Sequence, residues 1–108
     1  MSGDLSGAAR TGEGSNSMTR HEILKTAIEQ YGRDAQIDVC IEEMSELTKA
    51  LIKNRRCHGE NLADVLEEIG DVRIMIEQMQ MIFGHTGKYE LQKIQRLEAR
   101  LESARGGA

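Results

Sequence analysis

The chain has 108 residues, a formal net charge of −4 and 39% hydrophobic residues, with only two tyrosines and one phenylalanine as aromatics. This length allows one domain and excludes a separate cofactor domain. The net negative charge argues against nucleic acid as a partner, because binding to its phosphate backbone requires clustered Lys and Arg. No apolar run reaches the roughly 20 residues of a membrane span, and no signal-peptide pattern opens the sequence. The isolated Cys40 and Cys57 favour a reducing, cytoplasmic setting.

The ends of the chain differ in composition from its middle. Residues 1–17 are rich in Gly and Ser and offer almost nothing to bury, so we expect a flexible N-terminal tail. A single helical domain is expected over residues 18–104. Residues 105–108 contain two glycines and are expected to form a flexible C-terminus.

Caps and apolar spacing predict the first two helices. Thr19 and Glu22 form a capping-box pattern before a first helix that ends at Gly32. Asp34 is expected to cap a second helix that runs to about Arg56. On the second helix, the apolar stripe predicted to face the protein core consists of Ile37, Ile41, Met44, Thr48 and Leu51.

Two further helices are predicted in the same way. Asn61 is expected to cap a third helix that stops at Gly84, and a fourth begins at about Thr86. The inward positions of the third helix are predicted to be Leu62, Val65, Leu66, Ile69, Val72, Ile76, Met79 and Phe83. Those of the fourth are Leu91, Ile94, Leu97 and Leu101. Four amphipathic helices joined by short loops predict an all-α antiparallel four-helix bundle, which dimerisation is expected to complete.

The second and third helices carry the same side-chain pattern. Residues 41–47 read Ile-Glu-Glu-Met-Ser-Glu-Leu, and residues 66–72 read Leu-Glu-Glu-Ile-Gly-Asp-Val. Residues three apart share one face of a helix, with their Cβ atoms about 5–6 Å apart. Each helix therefore presents two carboxylates beside its apolar seam. The pairs are Glu43 with Glu46 and Glu68 with Asp71.

These paired carboxylates predict a metal site if the two helices pack side by side. Convergence of like charges favours either protonation or the binding of a cation. Oxygen donors without imidazole suit Mg²⁺, Mn²⁺ or Ca²⁺ rather than zinc or copper, and neither pair has the Glu-x-x-His pattern of di-iron bundles. Mg²⁺ is commonly shared between carboxylates and substrate phosphates, so the pattern indicates phosphate-ester or anhydride chemistry.

Gly70 interrupts a strong helical pattern between two of these carboxylates. A glycine inside a helix costs about 1 kcal/mol relative to alanine. We therefore expect a close approach of another backbone, a substrate or a metal ligand beside Gly70, with Ser45 as the matching small residue of the second helix.

The run Glu42-Glu43-Met44-Ser45-Glu46, followed by Glu68-Ile69-Gly70-Asp71, resembles the E-E-x-x-E then E-x-x-D signature of MazG-like nucleoside triphosphate pyrophosphohydrolases. The resemblance covers about residues 20–101. It implies hydrolysis of a nucleoside triphosphate to the monophosphate and pyrophosphate by a homodimer or homotetramer. It also implies that Mg²⁺, which Mn²⁺ can replace, is held by the residues that match the signature, Glu43, Glu46, Glu68 and Asp71.

Other residues are candidates for roles around this site. Glu46 and Glu42 are candidates to accept the proton of the attacking water. The resemblance places basic residues of the last helix near the phosphates, although this chain has Leu97 where many relatives have Asn. The phosphate-binding candidates are Lys93, Arg96 and Arg100 on that helix, together with Lys53 and Arg56.

Three functional hypotheses remain open on the sequence alone. The first is the pyrophosphohydrolase that the resemblance implies. The second is a non-catalytic helical interaction module that uses its charges for assembly and responds to no divalent ion. The third is a different Mg²⁺-dependent phosphohydrolase, which would release inorganic phosphate instead of pyrophosphate.

Overall fold

The structure is a computed structural model that describes residues 17–106, and within that range it contains four α-helices and no strand. The helices are α1 (Arg20–Tyr31), α2 (Arg33–Arg56), α3 (Leu62–Phe83) and α4 (Gly87–Gly106). The predicted all-α class is confirmed. Most of the predicted N-terminal tail lies outside the described residues. No helix of the described range combines the length and the apolar character needed to cross a membrane.

The start of α1 follows the predicted capping box. The Thr19 hydroxyl accepts a hydrogen bond from the Glu22 backbone N–H at 3.1 Å, and the Glu22 carboxylate accepts one from the Thr19 N–H at 2.8 Å. Gly32 then ends α1 and serves as the N-cap of α2 with a φ of 101°. The prediction of Asp34 as a cap was wrong, because one glycine makes the whole junction and Asp34 lies in the first turn of α2.

The turn between α2 and α3 is held by Asn61. Asn61 occupies the N-cap position of α3, as predicted, but its side chain does not cap the helix. It donates instead to the Ala50 carbonyl oxygen at 3.1 Å and accepts from the Asn54 amide at 3.0 Å. His58 and Gly59, both with positive φ, allow the chain to reverse here. The side chain of Asn61 therefore fixes the last turns of α2 against the start of α3.

Three helices pack together around a small core. Because only residues 57–61 join α2 to α3, the two pack as an antiparallel pair, and α1 packs against both. Gln78 is buried on α3 and donates to the Leu24 carbonyl oxygen at 3.2 Å, which ties α1 to α3. The buried apolar side chains are Leu24, Ala27, Cys40, Ala50, Val65 and Met75.

The predicted buried stripes of α2 and α3 are largely exposed within the chain. Ile41 is 56% exposed and Met44 is 42% exposed. Thr48, Leu51, Leu62, Leu66, Ile69, Ile76 and Phe83 are also exposed, whereas Ile37, Val72 and Met79 are half-buried and Val65 is buried. The prediction was wrong because α2 uses the neighbouring stripe, centred on Glu43, as its contact face. One residue along a helix turns the side chain by about 100°.

The fourth helix lies outside this three-helix body. It begins one residue after the predicted Thr86 and continues through Gly106, past the expected domain end. Every residue of α4 is exposed, including the predicted inward positions Leu91, Ile94, Leu97 and Leu101. The chain by itself therefore does not complete a four-helix bundle, because the apolar stripe of α4 has no partner among residues 17–106.

Candidate metal centre

Three of the four predicted ligands meet at the contact between α2 and α3. Glu43, Glu68 and Asp71 each offer one carboxylate oxygen, and these oxygens all lie within 4.8 Å of one another. Glu43 comes from the contact face of α2, and the other two lie one turn apart on α3. We call these three residues the carboxylate cluster.

The carboxylate cluster is unusually buried for acidic side chains. Glu43 is 1% exposed, Asp71 is 8% exposed and Glu68 is half-buried. Met75, which is fully buried, lies one turn beyond Asp71 on α3. Charged side chains are rarely buried to this extent without a compensating partner. Burial therefore makes three converging negative charges unfavourable unless a proton or a cation joins them.

The pKa values of two cluster residues are raised by burial and by the neighbouring negative charges. The pKa of Glu43 is raised to about 7, chiefly by burial, with the nearby charges of Asp71 and Glu68 and a hydrogen bond with Glu68 acting in the same direction. Burial and the charge of Asp71 also raise the pKa of Glu68, while its hydrogen bond with Glu43 lowers it. Glu43 is therefore the group of the cluster that holds a proton below about pH 7 when no cation is bound.

Two cluster oxygens have no protein donor. Oε2 of Glu43 and Oε1 of Glu68 are buried and make no hydrogen bond. A buried acceptor without a donor is destabilising by about 1–3 kcal/mol. The donor set is oxygen only, which is the chemistry that hard divalent cations such as Mg²⁺ and Mn²⁺ select. The residues present thus fit such an ion on burial, charge and donor type.

Glu46, the fourth predicted ligand, lies beside the cluster. Its side chain is 50% exposed and forms an ion pair with Lys49 at 3.7 Å. It lines a cavity of about 210 Å³, here called the side cavity, which also contacts Glu68 of the cluster. The other residues of the side cavity are Lys49, Ala50, Lys53, Asn61 and Asp64. The lining of the side cavity therefore contains both carboxylate and ammonium groups.

Asp64 and Lys49 were not predicted from the sequence as site residues. Asp64 lies four residues before Glu68 and Lys49 three residues after Glu46, so each shares a helix face with a predicted ligand. Both positions lie outside the repeated segments 41–47 and 66–72. Helical spacing outward from the predicted ligands is the signal that would have identified them.

The remaining candidates divide by position. Lys53 lines the side cavity, whereas Arg56 is exposed at the end of α2, beyond that cavity. Glu42 is exposed on α2 and is outside both the cluster and the side cavity. Lys93, Arg96 and Arg100 lie on α4, so within one chain they are not brought to the cluster.

Among the described residues, no other backbone and no metal-ligating side chain approaches Gly70, so that part of the expectation was wrong, whereas the approach of a substrate stays a prediction. Gly70 is exposed, and a Cβ atom built on it would meet nothing within 4 Å among the described residues. The contribution of α3 to the carboxylate cluster comes from Glu68 and Asp71, on either side of Gly70 in the sequence. The space beside Gly70 on the surface of α3 is not filled by any of residues 17–106.

Comparisons with protein-family models, with curated proteins and with solved structures find no match for this chain. Function is therefore inferred from the residues of the site and their geometry.

Proposed function

We propose that this chain is a Mg²⁺-dependent nucleoside triphosphate pyrophosphohydrolase of the MazG-like type, which releases a nucleoside monophosphate and pyrophosphate. The observation that supports this proposal most strongly is the carboxylate cluster, with its buried and unpartnered Glu43 oxygen. Buried oxygen ligands next to a cavity that also contains lysines suit a cation shared with phosphate groups.

Glu43, Glu68 and Asp71 would hold Mg²⁺ or Mn²⁺, with Glu46 as a further ligand from the side cavity. When bound, the ion supplies positive charge that neutralises phosphate oxygens and makes water a better nucleophile. The loss of the proton that Glu43 carries accompanies binding, because ligand carboxylates must be ionised. The cluster thus exchanges a proton for a cation.

The side cavity gives the remaining residues distinct roles. Lys49 and Lys53 would bind phosphate oxygens, because ammonium groups are compact donors that pair with phosphate. Glu46 is the better of the two candidates for accepting a proton from water, since it lines the cavity and Glu42 does not. A volume of about 210 Å³ is small for a whole nucleotide, so the base and sugar would extend beyond this cavity.

Assembly is part of the proposal. The exposed apolar stripe of α4 and the exposed apolar side chains of α2 and α3 would be buried between copies in a homodimer or homotetramer. Helix α4 carries five Lys or Arg and three Glu residues, whereas the formal charges of α1 and α2 each sum to zero and α3 carries one Arg and five Asp or Glu residues. This charge difference favours packing of α4 against the body of a second copy. Such packing is the route by which Lys93, Arg96 and Arg100 would approach phosphates.

The setting proposed for the enzyme is cytoplasmic. Cys40 and Cys57 are both free thiols, Cys40 is buried as expected for a small apolar side chain, and Cys57 is half-buried. Free thiols suit a reducing compartment.

The test is a panel of ribo- and deoxynucleoside triphosphates assayed for pyrophosphate release with Mg²⁺. Glu43→Gln and Asp71→Asn should each lower the rate by about 100-fold or more, because each removes a buried ligand charge. Asp38→Asn, on the exposed side of α2, is the matched control and should keep normal turnover. Undiminished turnover in both ligand variants would contradict the site, and release of inorganic phosphate instead would favour a different phosphohydrolase.

The second candidate function is a non-catalytic interaction module. It is favoured by α4, a helix of 20 residues whose whole length is exposed and available to a partner. This alternative predicts that no nucleotide is hydrolysed and that Mg²⁺ leaves the thermal stability of the protein unchanged.

A further inference from the structure

A second and larger cleft lies between α1 and the C-terminal end of α3. Its volume is about 600 Å³, within the range of small-molecule sites in proteins. Gln80, in its wall, lies nine residues beyond Asp71 on α3, which is about 14 Å along the helix axis. The lining of this cleft shares no residue with the carboxylate cluster or the side cavity. It is therefore separate from the site of the proposed reaction.

The polar lining of this cleft is basic, although the chain as a whole is acidic. Lys25 and Arg33 contribute two positive charges, and His21 and His85 contribute ring N–H donors. Glu29 is the single carboxylate among the lining residues that the structure describes. Ammonium, guanidinium and imidazole groups together form a donor set that suits phosphate oxygens. The lining therefore favours an anion.

Arg33 is oriented by contacts that leave donors available. Its guanidinium lies over the Phe83 ring, 5.1 Å from the ring centroid, and one nitrogen is 2.9 Å from the Asp34 carboxylate. Stacking on an aromatic ring restricts a guanidinium without using its N–H groups. A guanidinium has five N–H donors and the Asp34 contact occupies one nitrogen, so others can reach a ligand.

The rest of the lining is apolar. Ile28, Met81 and Ile82 contribute side chains to the cleft, and inorganic phosphate alone would leave these groups without contact. Methionine adapts its shape to flat or irregular apolar groups. A ligand that uses the whole lining must therefore have an apolar body as well as an anionic group.

We infer that this cleft binds a small organic phosphate, in which a phosphate monoester is attached to an apolar or aromatic body. Lys25, Arg33 and the two histidines contact the phosphate, and the body of the ligand covers Ile28, Met81 and Ile82. This assignment is independent of the hydrolysis proposed for the carboxylate cluster.

Phenyl phosphate is the probe for the test, with inorganic phosphate, phenol and benzoate as comparison compounds. The titration is followed by NMR of the full chain in EDTA, where no divalent ion can draw phosphate to the carboxylate cluster. We expect saturable binding that shifts the ring signals of His21 and His85. Phenyl phosphate should bind at least about tenfold more tightly than each comparison compound. Absence of saturable binding, or equal binding of benzoate, would overturn the inference.

Two double variants locate the binding. Lys25→Gln with Arg33→Gln should weaken phenyl phosphate binding by about tenfold or more, because two charged donors are lost. Lys88→Gln with Arg105→Gln removes the same charge from exposed positions of α4 and should leave binding unchanged. Equal affinity in both double variants would contradict the assignment. Glu43→Gln should also retain binding, so this inference and the proposed hydrolysis can fail separately.

Discussion

The α2–α3 contact and helix α4 are incomplete in opposite ways. At the α2–α3 contact, two buried carboxylates and one half-buried carboxylate meet, and two of their oxygens have no protein donor. On α4, Leu91, Ile94, Leu97 and Leu101 are all exposed to solvent. The first region buries charge that ordinarily stays in water, and the second exposes apolar surface that ordinarily stays inside. Each region therefore indicates a partner of a different kind.

This difference explains why the two regions should respond to different changes. A cation relieves the carboxylate cluster without affecting apolar surface, and a second copy of the chain covers α4 without supplying a cation. We therefore expect that metal binding and assembly can be disrupted independently.

The largest effect is expected for assembly. Ile94→Asp with Leu101→Asp places two charges on the apolar stripe of α4 and should weaken self-association by about 100-fold or more, since buried unpaired charges are costly. Sedimentation equilibrium should show a dimer or tetramer for the unmodified chain and a monomer for this variant. Gln92→Asp with Ser103→Asp adds the same charges on the opposite face of α4 and should leave the assembly intact.

Removing the charge of Glu43 should stabilise the protein when no divalent ion is present. At about pH 8, Glu43→Gln should raise the free energy of unfolding by an amount on the order of 2 kcal/mol, because the substituted side chain avoids burying an anion. Chemical denaturation in EDTA measures this change. Asp38→Asn on the exposed side of α2 should leave the stability nearly unchanged, and a loss of stability in Glu43→Gln would contradict the account.

The stability of the metal-free chain should also depend on pH. The pKa of Glu43 is raised in the folded state from 4.5 to about 7, so the folded chain binds more protons than the unfolded chain between these values. The free energy of unfolding should therefore fall as the pH rises through this window. Denaturation in EDTA at several pH values should show this decline, and Glu43→Gln should flatten the curve. A rise of stability over the same window would be the opposite result.

A smaller change in stability, of opposite sign, is expected at Asn61, a buried polar side chain that has hydrogen-bond partners within the protein. Asn61→Ala removes its hydrogen bonds to Ala50 and Asn54 and should lower the free energy of unfolding by about 1–2 kcal/mol. Urea denaturation measures this loss. Stabilisation by Asn61→Ala would contradict the account, which holds that hydrogen-bonded Asn61 stabilises this contact whereas the cluster oxygens without donors destabilise it.

The sequence predicted the helices and their glycine ends well, because these depend on local chemistry. The capping box at Thr19 and the end of α3 at Gly84 are examples. It did not predict which face of α2 is buried within the chain. The stripe through Ile41 and Met44 has the stronger apolar pattern, yet the contact face includes Glu43. Apolar periodicity shows that a face is buried somewhere, but it does not distinguish a contact within the chain from one between copies.

The site was predicted to the extent that it follows helical spacing. The three-residue interval placed Glu68 and Asp71 on one face, and the repeated pattern identified Glu43 as their counterpart on α2. The ion pair of Glu46 with Lys49 and the exposure of α4 could not be predicted, because both depend on how whole helices are positioned. Local spacing determines which groups share a face, whereas tertiary packing determines which faces meet.

The central claim is that the carboxylate cluster is a cation site, and thermal unfolding with and without Mg²⁺ tests it most directly. A ligand that binds only the folded state stabilises it by about 2.7 kcal/mol at 100 times its dissociation constant. We predict a clear rise of Tm with Mg²⁺ for the unmodified chain and for Asp38→Asn, and no rise for Glu43→Gln or Asp71→Asn. An unchanged Tm for the unmodified chain, or an equal rise in all four proteins, would contradict the claim.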